Sequence, residues 1–240
     1  MKLLKLLMNI IKKKIRQYIN IGGFMKKEKL YRLMVFCIII SIIYTILVKF
    51  VDLSAIGPNN SVVGFATMNG FFNNLIGYNE SWYKISKYLG IIPFLIVGFY
   101  GINGLIQLIK RKSIKKVDMK ILLLGWLYIL LGLIYVYFEI IIINYRPVLD
   151  NGVLEASYPS SHTMLAIVIT MSSLFISKYY IKNKNLNKSF NLFSTTLMFT
   201  IVISRLLSGV HWISDIIGGI IISITLLILY KTNLEYFDKR

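Results

Sequence analysis

The chain holds a single cysteine, Cys37, in 240 residues. No intrachain disulfide framework and no Cys-based metal site can be built from it. Cys37 lies in an apolar run and reads as lipid-facing or packed. Acidic side chains are also scarce, 10 Asp and Glu against 28 Lys and Arg, for a net charge of +18. Such an excess could mark a nucleic-acid binder. Here the basic residues fall in discrete blocks between apolar segments and not along an aromatic-interleaved groove, so no nucleic-acid partner is expected. Charge of either sign is thin, at 16% of residues against about 25% in a soluble domain. Histidine occurs twice, at His162 and His211. No internal repeat or low-complexity tract is evident. What the chain does have is apolar length: 56% hydrophobic residues and a mean hydropathy of +0.67. That composition defines an integral membrane protein whose length suits one bundle.

About 20 apolar residues are needed to cross the hydrocarbon core as a helix. Six stretches qualify, near 31–50, 90–109, 121–143, 164–181, 190–207 and 213–230. Backbone polar groups cannot stay unpaired in lipid, so each is expected to be helical. The fold class is therefore all-α, a six-helix transmembrane bundle over residues 31–240 with an N-terminal amphipathic segment over 1–30. In that segment Leu3, Leu4, Leu7, Ile11, Ile15 and Tyr18 share a helical face, with lysines elsewhere. It reads as a helix on the anionic inner leaflet or as a frayed basic tail, and not as a cleavable signal peptide. Basic residues number 23 on one side of the spans (10 up to Arg32, 6 over 110–120, 4 over 178–188 and 3 in the C-terminal tail). The other side has 5: Lys49, Lys84, Lys87, Arg146 and Arg205. The positive-inside rule then expects both termini in the cytoplasm of a multi-pass cell-membrane protein. Residues 52–89, rich in Gly, Asn and aromatics, become a long outer loop expected to pack over the outer helix ends as a partly amphipathic cap.

With that topology Arg146, His162, Arg205, His211 and Asp215 gather at the outer ends of spans three to six. Ionisable groups at membrane depth are costly and by default mark a site. His211 and Asp215 are four residues apart and would share one helical face. A carboxylate accepting the proton on one imidazole nitrogen fixes the tautomer and leaves the other nitrogen free to attack. Arg146 and Arg205 supply two planar cationic forks suited to phosphate oxygens. Ser160 and Ser161, opening span four, can offer hydroxyl and backbone N–H groups at a positive helix end. His162 then stands where it can protonate a leaving oxygen. The bland reading of Pro159-Ser160-Ser161-His162-Thr163 is a helix cap, and it is compatible with the catalytic one. There are no clustered carboxylates of the kind that hold Mg²⁺, so no metal and no cofactor are expected.

Arg146-Pro147, Pro159-Ser160-Ser161-His162, and Ser204-Arg205 with His211 and Asp215 resemble the three motifs of the type 2 phosphatidic acid phosphatase superfamily. The resemblance extends from about residue 88 to 230. It implies a six-helix bundle and metal-independent hydrolysis of a phosphomonoester or diphosphate through a phosphohistidine. It also implies His211 as nucleophile, Asp215 as its orienter and His162 as general acid, with Arg146, Arg205, Ser160 and the Ser161 backbone holding phosphate. Two positions depart from the pattern. Ser161 stands where glycine is usual, which keeps the backbone N–H. Glu139 stands where lysine is usual, and a carboxylate there would repel phosphate unless it is turned away, paired with an arginine, or compensated by Lys84 or Lys87. The expected function is a lipid phosphate or diphosphate phosphatase at the outer leaflet, with a polyprenyl diphosphate, phosphatidylglycerophosphate or phosphatidic acid as substrate. The alternatives are a catalytically inactive member of the fold and a transporter-like protein that binds a lipid phosphate without hydrolysing it.

Overall fold

In a computed structural model, residues 27–150 and 152–237 are described. Most of the expected amphipathic segment lies outside them. Among the described residues the architecture is all-helical: α1 (Lys27–Phe50), α2 (Ala66–Ile76), α3 (Glu80–Leu89), α4 (Ile92–Arg111), α5 (Met119–Ile140), α6 (Ser161–Tyr180), α7 (Lys184–Leu207) and α8 (Ile213–Phe237). Six helical stretches are long and apolar enough to cross a membrane, and the protein is a multi-pass membrane protein. Sequence boundaries shift by a few residues: α1 begins at Lys27, α6 at Ser161 and α7 at Lys184, because helices continue past the apolar stretch into polar caps. Asn183 shows why for α7, its side chain accepting from the Asn185 and Leu186 N–H groups (both 3.0 Å).

The bundle is not symmetric. α6 and α8 form its buried centre, with 61% and 67% of their apolar stretches buried, against 6% for α1 at the edge. Leu124, Leu127 and Leu131 of α5 meet Met164, Val168 and Ile169 of α6 and Ile222, Leu226 and Tyr230 of α8. Between apolar helices in lipid, close approach rests on small residues. Gly218 supplies one such contact: a Cβ there would fall 2.3 Å from the Tyr158 ring. α8 can therefore lie directly against the segment that leads into α6.

The segment between α1 and α4 is structured. Asn79 caps α3 by accepting from Trp82 N–H (3.1 Å), and α2 is tied to the start of α8 through Asn69. The Asn69 amide donates to Ser214 Oγ (2.9 Å) while its oxygen accepts from Ser214 N–H (3.1 Å). The Asn79 N–H donates to the Ser208 carbonyl (3.0 Å). The segment expected to act as a cap is thus two short helices packed at one end of the bundle. Between α5 and α6 the chain folds into a short antiparallel ribbon, bridged at Tyr145–Ala156 and Asp150–Val153.

Candidate active site

His211 lies in the turn between α7 and α8 and not on α8 itself. Asp215 is in the first turn of α8, and its Oδ2 accepts from the Trp212 N–H (3.0 Å). A carboxylate at the third helical position reaching back to the cap N–H is a capping arrangement. Capping brings the two residues together, and not the shared helical face expected from their spacing. Their direct approach, His211 Nδ1 to Asp215 Oδ2, is 4.0 Å, beyond hydrogen-bond reach. Ser157 stands between them, its Oγ 3.0 Å from His211 Nδ1 and 2.5 Å from Asp215 Oδ2. Oδ1 of Asp215 receives the Asn144 amide and the Ser214 hydroxyl, both at 3.4 Å. His211 is deeply buried. Burial, the Arg205 and Arg146 guanidinium groups and then His162 hold its imidazole well below the ordinary value, so it is neutral at physiological pH.

Arg146 leaves the ribbon with its guanidinium against Glu155 (2.8 Å) and Asp150 (3.8 Å). Arg205, near the end of α7, is only 1% exposed. Its Nη1 donates to Ser86 Oγ (3.1 Å), and its guanidinium lies 5.3 Å from the centre of the Tyr83 ring. Both partners belong to α3, so the cap positions one of the two arginines. The Tyr83 hydroxyl in turn donates to Asp150 (3.2 Å), linking α3 to the ribbon near Arg146.

Ser160 occupies the cap position of α6 but makes no capping bond with its side chain. Its N–H is committed to the Asp215 carbonyl (3.1 Å), and its Oγ accepts from Thr163 (3.0 Å). Contrary to expectation, only its hydroxyl is left for a ligand. His162 packs against the α3–α4 junction, where a Cβ on Gly90 would come within 2.9 Å of the ring.

A small pocket is lined by Arg146, Ser157, Ser161 and His211, with Tyr135, Phe138 and Glu139 on its wall. Glu139 is among the lining residues, and the carboxylates paired with Arg146 are Glu155 and Asp150. Lys84 pairs with Glu80 (2.8 Å), and Lys87 lies over the Tyr83 ring (5.9 Å). Adjoining the pocket, and sharing Tyr135, Ser161 and Met164 with it, is a larger apolar cavity of about 560 Å³ between α4, α5 and α6. His162 stands in its wall beside Phe94, Val97, Leu131 and Leu165.

Seven buried side-chain nitrogen or oxygen atoms lack a hydrogen-bond partner among the described residues. Four of them are Arg146 Nε, His162 Nδ1, Arg205 Nε and His211 Nε2. Buried polar groups are ordinarily satisfied, and the exceptions call for a physical account. Here they cluster in the residues singled out by the sequence. Sequence reasoning missed Ser157, Asn144, Tyr83 and Ser86. Ser157 sits just before the second motif, but its partners are 54 and 58 positions away and no local spacing announces them.

In a six-span bundle, two arginines and two histidines thus come together at one end. Residues 137–238 match the PAP2 superfamily model. The fold is similar to the crystal structure of a transmembrane PAP2-type phosphatidylglycerolphosphate phosphatase from Bacillus subtilis, at 18% identity and a TM-score of 0.52. The match covers 86% of this chain and 96% of that one. No curated protein matches the sequence.

Proposed function

We propose that this protein is a membrane lipid phosphatase that works through a phosphohistidine on His211. The observation that carries the reading is the buried His211 ring, whose Nε2 has no partner while its Nδ1 is held. An imidazole so held is neutral, oriented and nucleophilic at one nitrogen. Arg146 and Arg205 would hold the phosphoryl oxygens, helped by the Ser160 hydroxyl and the Ser161 N–H, and would neutralise the charge that builds on them in flight. His211 Nε2 attacks phosphorus as the bond to the leaving oxygen breaks, and His162 gives that oxygen a proton. Water then attacks the phosphohistidine, His162 takes up its proton, and inorganic phosphate leaves.

The apolar cavity beside His162 supports a lipid as the substrate, because a chain lying between α4, α5 and α6 would deliver its phosphate at headgroup depth. A polyprenyl diphosphate, phosphatidylglycerophosphate and phosphatidic acid all fit that description. The basic-residue asymmetry supports a site on the outer face.

Phosphate release by purified protein in mixed micelles, measured against these three lipids, tests the reading. Hydrolysis of at least one is expected, with loss to background and no acid-labile phosphoenzyme for His211→Ala. Activity should persist in EDTA and be inhibited by vanadate, which mimics the trigonal-bipyramidal phosphoryl centre. Binding of a lipid phosphate without release would favour the non-hydrolytic alternative, and full turnover by His211→Ala would overturn the mechanism.

A further inference from the structure

We infer that Ser157 is a positioning residue that connects Asp215 to His211, so that the nucleophile is oriented through a His–Ser–Asp relay instead of a direct His–Asp contact. The inference rests on the proposed role of His211. The distances decide the connectivity: 3.0 Å from His211 Nδ1 to Ser157 Oγ and 2.5 Å from there to Asp215 Oδ2, against 4.0 Å for the direct approach.

The hydroxyl has one proton, which fixes the direction of the chain. Both oxygens of Asp215 already receive donors, Trp212 N–H on Oδ2 and the Asn144 amide and Ser214 hydroxyl on Oδ1. An ionised carboxylate can only accept, so Ser157 donates to Asp215 Oδ2, and its own oxygen is left to accept. The group that donates to it is His211 Nδ1–H. Nε2 then keeps its lone pair, in the tautomer that attack on phosphorus requires. When Nε2 becomes phosphorylated the ring turns cationic, and the polarised hydroxyl carries the stabilising influence of Asp215 to Nδ1.

Ser157 is built to stay in place. It is buried, its N–H donates to the Asn144 carbonyl (2.9 Å), and Asn144 is itself pinned by the Gly64 N–H (3.0 Å). The ribbon between α5 and α6 thus brings Arg146 on one strand and Ser157 on the other to the same pocket.

The relay has a readout that does not depend on turnover. With only two histidines, His162→Gln leaves His211 as the only imidazole in a ¹⁵N-histidine-labelled protein. Nitrogen chemical shifts should report the Nδ1–H tautomer, and adding Ser157→Ala should shift the population towards Nε2–H. In the His162-containing protein, Ser157→Ala is expected to lower kcat roughly 10- to 100-fold, the scale of one hydrogen bond to a charged group. KM should change less than about twofold, as for an interaction realised after substrate binding, and Ser157→Thr should restore most of the rate. Combining Ser157→Ala with Asp215→Asn should cost little more than Asp215→Asn alone, because both remove the same chain. Should the alanine variant fail to fold, Ser157→Cys compared with Ser157→Thr carries the same contrast, a poor donor against a good one. A retained Nδ1–H tautomer, or full additivity of the two substitutions, would overturn the relay. An inactive wild type with the expected tautomer would refute the proposed function and leave the relay standing.

Discussion

At the scale of single residues, the neutrality of His211 has a consequence for stability. Its pKa in the folded protein lies below the unfolded value, so below pH about 6.5 the unfolded chain binds a proton that the folded one does not. Stability from this group is fully present above that pH and is lost as pH falls, with a slope of at most about 1.4 kcal/mol per pH unit. Thermal unfolding in detergent between pH 7.5 and 5 should show that decline in the wild type and a shallower one in His211→Gln. Equal slopes would mean that His211 is solvated. Glu139 offers a second residue-scale test, because it lines the same pocket as Arg146. Glu139→Gln removes a charge that would repel phosphate and should lower KM by roughly three- to tenfold, the effect of about 1 kcal/mol between charges a few ångströms apart in water. An unchanged KM would show that the carboxylate does not act on the bound group.

At the scale of elements, the site depends on how closely α8 approaches the chain leading into α6. Tyr158 is held there by Thr45 (2.8 Å) and by an edge contact with Phe138, so its ring has little room to yield to a Cβ on Gly218. Gly218→Ala should destabilise by about 1–3 kcal/mol, as overpacking does, and should lower activity by displacing Ser157 next door. Gly98 of α4 is the control, since a Cβ there meets nothing within 4 Å. Gly98→Ala should be neutral or stabilise by up to about 1 kcal/mol through helix propensity. Paired melting curves of the two variants check this, and equal shifts would show that the α8 approach is not tight. The cap is an element of the same kind: α3 places Ser86 and Tyr83 on Arg205 and so links the cap to the end of α7.

At the scale of the whole molecule, the sequence assigns 23 of 28 basic residues to one side of the spans, and the positive-inside rule predicts that this side is cytoplasmic. In a Cys37→Ser background, a cysteine at Val153 should react with an impermeant thiol reagent added outside whole cells, while one at Asn183 should be protected until the cells are opened. The reverse pattern would put the candidate site in the cytoplasm and remove the outer-leaflet reading of the substrate.

Apolar length and charge asymmetry are linear properties, and a bilayer converts them directly into structure: segments of sufficient length must be helices, and their number and spacing follow. The six spans were therefore legible from the sequence, and Arg146, His162, Arg205, His211 and Asp215 could be picked out as site candidates, because ionisable residues stand out where lipid penalises them. Ser160 and Ser161 were visible as neighbours of His162, although the commitment of the Ser160 N–H to Asp215 was not. The tertiary structure alone decided how these groups are connected. Ser157 reaches His211 and Asp215 across more than 50 residues, Ser86 reaches Arg205 across 119, and Asn69 meets Ser214 across 145. A hydroxyl or amide costs little at a loop and carries no periodicity, so nothing local distinguishes a serine that relays a charge from one that faces water. That distinction arises when packing of α6 against α8 removes the water and leaves each buried donor one partner to find.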